Sequence, residues 1–202
     1  HFTVKDPFIT LMKGSVQTFL NALTYPDKTV FPAASIVEKD YFNLFEVYGD
    51  AVFFPLLRKE VFHQEGRRIE IDDGGNVTVD GVVYNEMRGN YSDHDSIAGE
   101  WSYRSLFPDS PYRFDSGGEP GAIRELSYRT FLDYHKSWYH PSNCMIFLYG
   151  NIPTEKNLGF IESKFLSKFG RKNVDTSVPA QPGLIKPVEM MMTSPLAADD
   201  SP

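Results

Sequence analysis

The stretch Gly81-Val-Val-Tyr-Asn-Glu-Met-Arg-Gly-Asn90, running on to Trp101, constrains the chain more than any other. It joins a β-like run to a helical one and sets a single carboxylate, Glu86, at the join. From Val83, large apolar or aromatic residues recur at Met87, Tyr91, Ala98, Trp101 and Leu106. That is close to a 3.6-residue period and predicts one helix with one buried stripe. Glu86 stands beside Met87 and is expected at the edge of that stripe, against the protein body. An unpaired charge there is costly, so the carboxylate calls for an arginine, a lysine or a metal. On residue chemistry alone an ion pair with Arg88, Arg67 or Arg68 stands ahead of a metal.

The 202 residues are 41% hydrophobic, enough for one sizeable core or two small ones. Sixteen Phe and 11 Tyr argue against disorder. The net charge of -7 disfavours nucleic acid or an anionic membrane as partner. No stretch reads as a membrane span or a signal peptide. Cys144 is the only cysteine, so no intrachain disulfide forms; it lies in an apolar run and is expected to be a buried structural thiol. The chain opens at His1 without Met, which is expected of an internal piece of a longer protein.

In chain order, Asp6-Pro7 starts a helix that Gly14 ends. Alternation from Ser15 predicts a strand, a turn at Tyr25-Pro26-Asp27-Lys28 and a second strand from Thr29. Ser35 to Glu38 has the capping-box pattern, ahead of a helix striped by Tyr41, Leu44, Phe45, Tyr48, Ala51 and Val52 and bounded by Pro55. A short helical segment runs from Leu56 to Gln64. Arg68 to Val83 reads as a hairpin turning at Asp72-Asp-Gly-Gly75. The helix with Glu86 follows, to about Phe107, and Asp115 to Gly121 is a loop. Ser127 caps a further helix ending near His140. Cys144-Met-Ile-Phe-Leu-Tyr149 has the length and apolarity of a central strand. Thr154 caps a last helix, closed by Gly170. From Arg171 onward the composition is that of a linker. The class is α+β, with helices packed on a mostly antiparallel sheet.

Chemistry-bearing motifs are sparse. His63, His94, His135 and His140 form no i, i+4 pair, and neither HExxH nor HxxEH occurs, so each reads as a core or surface histidine. No nucleophile elbow or phosphate loop is present. The strand from Gln17 to Tyr25 could take an extended peptide along an exposed edge, although an ordinary internal strand is the plainer reading.

Eight ordered blocks carry a resemblance: Val4-Lys-Asp-Pro-Phe8, Gln17-Thr-Phe-Leu-Asn-Ala-Leu-Thr-Tyr-Pro-Asp-Lys-Thr29, Asp40-Tyr-Phe-Asn-Leu44, Tyr48-Gly-Asp-Ala-Val-Phe-Phe-Pro55, Phe62-His-Gln-Glu-Gly66, Val82-Val-Tyr-Asn-Glu-Met-Arg-Gly89, Asp115-Ser-Gly-Gly-Glu-Pro120 and Tyr139-His-Pro-Ser-Asn143. Together they resemble the presequence-protease branch of the M16 (pitrilysin, insulinase-like) zinc metallopeptidases, over nearly the whole chain to about residue 182.

The resemblance implies an M16 (LuxS/MPP-like) metallohydrolase fold. It places residues 1–170 in the N-terminal, active-site domain and 171–202 in a linker toward a second domain. It implies a zinc endopeptidase that degrades unfolded, presequence-like peptides in a closed chamber. It makes Glu86 the third zinc ligand, with metal ligation now ahead of an ion pair. Leu20, Asn21, Ala22, Leu23 and Thr24 become the strand that binds the substrate backbone. The two His ligands and the catalytic Glu belong to an HxxEH helix, expected upstream of His1, so this chain holds no catalytic residue of its own. Expected partners are peptide substrates and the C-terminal half of the same protein, with no nucleic acid and no membrane. The compartment is the cytoplasm for a bacterial protein or an organelle matrix for a eukaryotic one. The alternative is a non-catalytic M16-like scaffold or peptide-binding subunit. The 202-residue chain alone is predicted to lack peptidase activity and a tight zinc site. Turnover of a peptide by the pure chain, abolished by a chelator, would show the opposite.

Overall fold

The computed structural model describes Lys13, residues 17–187 and residues 189–191. Apart from Lys13, the helix expected between Asp6 and Gly14 lies outside them. The described strands are β1 (Gln17–Leu20), β2 (Leu23–Thr24), β3 (Thr29–Val30), β4 (Ala33–Ser35), β5 (Arg68–Ile71) and β6 (Val77–Asp80). The principal helices are α1 (Glu38–Phe53), α2 (Val82–Asn90), α3 (His94–Leu106), α4 (Pro120–Glu125), α5 (Tyr128–Trp138) and α6 (Thr154–Lys164). A helical turn at Lys59–Val61 continues into a π-helical one at Phe62–Gly66. The class is α+β, as expected, but the strands form three two-stranded ribbons, β1 with β4, β2 with β3 and β5 with β6.

Two compact units divide the chain. The first takes its described residues from His1–Leu23, Thr29–Leu56 and Leu132–Thr176, the second from Thr24–Lys28, Leu57–Phe131 and Ser177–Pro202.

In the first unit the apolar stripe of α1 buries Leu44, Val47 and Tyr48. Around them stands a network of rings: Phe45 lies 5.4 Å from Phe160 and 5.9 Å from Phe165, and Phe53 lies 5.9 Å from Phe165. Such pairs add about 0.5–1.5 kcal/mol each to the area they bury. Phe165 follows the last turn of α6 and is 2% exposed. It fits only because α1 has a glycine opposite: a Cβ on Gly49 would stand 2.1 Å from Phe165 Cζ. Polar ties fix the same pair of helices. Tyr41 Oη donates to Asn157 Oδ1 at 2.9 Å, Lys164 Nζ lies 2.7 Å from Glu46 Oε1, and Lys156 pairs with Glu38. The expected capping box is shifted. Val37 is the N-cap of α1, and Ser35 Oγ accepts from the Val37 N–H at 3.2 Å, two residues ahead of the place the pattern assigns.

Cys144-Met-Ile-Phe-Leu-Tyr149 is not a central strand. Among the described residues no ladder pairs with it, and Cys144 is exposed rather than buried. An apolar run of strand length becomes a strand only where another backbone meets it, and none of the described residues does so.

In the second unit β5 and β6 pair antiparallel from Arg68↔Asp80 to Ile71↔Val77, which is the expected hairpin. Asp72 builds its turn, its carboxylate accepting from the N–H groups of Gly74 and Asn76 at 2.9 and 2.8 Å. Ser127 caps α5 as expected, with Oγ accepting from Thr130 N at 3.0 Å. The expected loop from Asp115 to Gly121 holds the start of α4, where Pro120 takes the first helical position.

Two glycines separate packing from propensity. Gly49→Ala is predicted to destabilise the chain by about 1–3 kcal/mol, because Phe165 must leave its seat. Gly159→Ala, with nothing within 4 Å of its Cβ in α6, is predicted to stabilise by roughly 0.5–1 kcal/mol. Denaturant unfolding of both variants reads the difference.

Candidate functional site

The helix α2 is tied at its N-terminal end by Asp80, the last residue of β6. Asn85 Nδ2 donates to Asp80 Oδ1 at 2.5 Å, and Arg68 pairs with the other carboxylate oxygen while also lying 2.6 Å from Glu70. The Asn85 hydrogen bond leads in holding the Asp80 carboxyl below its usual range. Partial desolvation opposes it, and the Gly81 N–H and the Arg68 charge add to it. Gly81 permits a close crossing: a Cβ there would stand 2.3 Å from the carbonyl oxygen of Gly66.

Tyr84 and Met87 then face inward and form a buried cluster with Ile123, with Val79 and Tyr91 packed against it. The loop before α4 closes over them, so that a Cβ on Gly117 would stand 2.3 Å from Met87 Sδ. Met87 and Tyr91 face this cluster as expected, and the difference from the expected stripe in α2 lies at its first position. Val83 is exposed, Tyr84 is buried, and Glu86, roughly 200° round the helix from Tyr84, is exposed to solvent. Glu86 therefore does not lie against the protein body. The expected ion pair is also absent: Arg88 lies over the Tyr84 ring at 5.9 Å, Arg67 donates to Leu126 O at 3.2–3.3 Å, and Arg68 serves Glu70 and Asp80. A solvated carboxylate needs no counter-ion, which is why none of the three turns toward it.

The single helix expected from Val83 to Phe107 is two helices. Residues 91–93 break it, and Asp93 restarts the chain as N-cap of α3, its side chain accepting from Ser96 N at 2.8 Å. Behind the break lies a polar network that the sequence reading missed. Arg104 Nη2 donates to Tyr91 Oη and to Glu119 Oε2, both at 3.1 Å. Its Nε lies 3.4 Å from Glu100, and its guanidinium sits 4.8 Å from the Trp101 ring centre. Burial, helped by the negative charges of Asp115 and Glu100, pushes the Tyr91 phenol far up, while Arg104 works against that. Burial likewise raises Glu100, with Asp115 next in effect. The Glu100/Arg104 spacing of four was the one visible signal.

The candidate peptide strand is interrupted. Of Leu20, Asn21, Ala22, Leu23 and Thr24, Leu20 is half-buried in β1 and the other four are exposed. Among the described residues β1 pairs with β4 alone. The break between β1 and β2 falls on Asn21. Its N–H donates to Pro32 O at 3.1 Å, its carbonyl accepts from Tyr48 Oη at 2.9 Å, and its Oδ1 accepts from the Ala22 N–H at 2.8 Å. Leu20 to Leu23 belong to the first unit, and Thr24 and Glu86 to the second.

Three of the histidines contact backbone groups. His135 Nε2 lies 2.9 Å from Val52 O, His63 Nδ1 lies 3.2 Å from Arg67 O, and His140 Nδ1 accepts from the Ser142 N–H at 3.1 Å. Among the described residues no three His, Cys, Asp or Glu side chains are grouped to hold a metal ion. One exposed carboxylate does not make a zinc site, which takes three or four protein ligands. The described residues therefore do not fit the metal by themselves, and Glu86 supplies one ligand at most. No helix among them is long and apolar enough to cross a membrane.

Residues 125–191 match the family model of the peptidase M16 inactive domain. The chain is 42% identical over 190 residues to the mitochondrial presequence protease of Danio rerio, which covers 92% of this chain and 19% of the relative. It is 46% identical over 153 residues to presequence protease 1, chloroplastic/mitochondrial, of Arabidopsis thaliana, covering 74% and 14%. It is 48% identical over 183 residues to Protein HypA of Clostridium perfringens, covering 89% and 19%. The chain thus spans less than a fifth of the length of these relatives.

The tie at the start of α2 has a pH signature. Because the folded pKa of Asp80 is lowered, its contribution to stability is present above the ordinary 3.8 and is lost as pH falls through the folded value. Asn85→Ala is predicted to move the Asp80 titration, followed by carboxyl NMR, upward toward 3.8. An unchanged midpoint would assign the shift to the Gly81 N–H and Arg68 instead.

Proposed function

The chain belongs to the M16 peptidase family, and from that premise we propose that it is part of a zinc-dependent endopeptidase acting on unfolded, presequence-like peptides. The observation that carries the reading is the 42% identity to a presequence protease across 92% of the chain. The outward position of Glu86 on a helix fixed at its start supports it further. A carboxylate turned to solvent and engaged by none of Arg67, Arg68 and Arg88 is open to a ligand brought from outside these residues.

In this reading the domain has the LuxS/MPP-like fold, with residues 1–170 in the active-site domain and 171–202 leading toward the next. Glu86 is one zinc ligand; the two histidines, the catalytic Glu and the closing half of the chamber come from other parts of the polypeptide. The edge from Leu20 to Thr24 holds the substrate extended by backbone hydrogen bonds. Asn21 has committed its own N–H, carbonyl and Oδ1, and Ala22 its N–H, while Leu23 faces β3 in the β2–β3 ribbon, so Thr24 carries more of that pairing. The compartment is an organelle matrix in a eukaryote, as the names of the Danio and Arabidopsis relatives suggest, or the cytoplasm in a bacterium.

A second reading, a non-catalytic M16-like scaffold, is favoured by one observation: the matching family model is that of the inactive domain. The Glu86→Gln variant of the complete polypeptide separates the two. The peptidase reading predicts that peptide cleavage and bound zinc fall by about 10–100-fold, with the thermal unfolding midpoint of the metal-free polypeptide unchanged. A wild-type complete polypeptide that cleaves no peptide, with or without zinc, would favour the scaffold.

A further inference from the structure

Arg104 joins two helices that otherwise meet only through apolar side chains, and all of its partners belong to the second unit. Its Nη2 donates at 3.1 Å both to the Tyr91 hydroxyl and to Glu119 Oε2. Each of these residues governs one side of the cluster that fixes the rotation of α2. Tyr91 is the C-cap of α2: its N–H donates to Met87 O at 3.0 Å, and its ring packs against Tyr84, Met87 and Ile123. Glu119 is the N-cap of α4, and its carbonyl accepts from the Ile123 N–H at 2.9 Å. Arg88 and Asn90 turn their side chains to Tyr84 and Met87, within α2 itself. Among the described residues, the end of α2 thus reaches another helix by a side-chain hydrogen bond at Tyr91.

We propose that Arg104 is a positioning residue for Glu86, bracing the C-terminal end of α2 against α4 so that the carboxylate beside Met87 keeps its outward direction. The inference rests on the reading of Glu86 as a zinc ligand. The guanidinium is well placed for a brace. Its side chain is 20% exposed, it lies 4.8 Å from the Trp101 ring centre, and its Nε is 3.4 Å from Glu100, so its planar fork is held in one orientation. Without it, Glu100, Asp115 and Glu119 would stand as like charges around the Tyr91 hydroxyl. Asp115 shapes the loop that closes on Met87, its carboxylate accepting from the Gly117 N–H at 2.9 Å. That loop and Tyr91 would loosen together, leaving the polar hold on α2 to Asn85 and Asp80 at its start.

Two variants of the complete polypeptide test this, Arg104→Gln and Tyr91→Phe. The second keeps the ring in the cluster and removes only the hydroxyl that Arg104 holds, so it decides the matter should Arg104→Gln fail to fold. In the metal-free form, amide exchange at residues 87–91 is expected to quicken by about 10-fold, the effect of losing a hydrogen bond to a charged group. Zinc affinity, measured by chelator competition, is expected to fall by about 10-fold, and kcat with it, while KM stays close to the wild-type value. Unchanged exchange in α2 would overturn the brace. A lower melting temperature with zinc affinity unchanged would also overturn the proposal, as the mark of an arginine that only stabilises the fold. Glu86→Gln measured beside them separates the two failures. Unchanged zinc affinity in that variant overturns the ligand reading itself, and the exchange of α2 still decides whether Arg104 braces the helix.

Discussion

The burial of Tyr84 and Met87 against Ile123 is the constraint on which the candidate site depends. Three positions apart, the two residues fix the rotation of α2, and the rotation decides what every other residue of that helix meets. With Tyr84 inward, Arg88 lies over the Tyr84 ring, Asn85 reaches Asp80, and Glu86 turns outward. The loop before α4 can close on Met87 because Gly117 has no side chain, and the turn ending at Gly66 can approach because Gly81 has none. Two missing side chains and one buried pair thus set the direction of a single carboxylate.

The exposed state of Glu86 bears on its chemistry. A carboxylate in water carries little desolvation penalty, and the arginines beside it bind other groups. Such a group contributes little to stability and can be spent on a ligand. The Arg104 network behind the break at residues 91–93 has the opposite character. It is partly buried, satisfied by Tyr91, Glu100 and Glu119, and backed by Trp101, so its place is in holding α3 and the following loop.

Local chemistry in the sequence was largely legible. The hairpin with its Asp72 turn, the Ser127 cap, the stripe of α1 and the turn closed by Tyr25 N–H on Lys28 O follow from side chains within a few residues of each other. What was not legible depends on distant residues. Val83 and Tyr84 are both apolar, and only the position of Ile123 decides which faces inward. Asp93 is a good cap, but the apolar residues on both sides of it share one period, which hid the break. Cys144 to Tyr149 has every local property of a strand, and the sequence of the run says nothing about where its partner lies. The metal-ligand role proposed for Glu86 rests on the ordered blocks around it, because its local spacing points at least equally to an ion pair.

In the proposed role, Glu86 is a metal ligand presented by a helix whose rotation is fixed from inside. The distance from Glu86 to the metal in a zinc-loaded crystal of the complete polypeptide tests this most directly. The account predicts a carboxylate oxygen about 2.0–2.2 Å from zinc. Zinc bound with Glu86 outside its coordination sphere would contradict it.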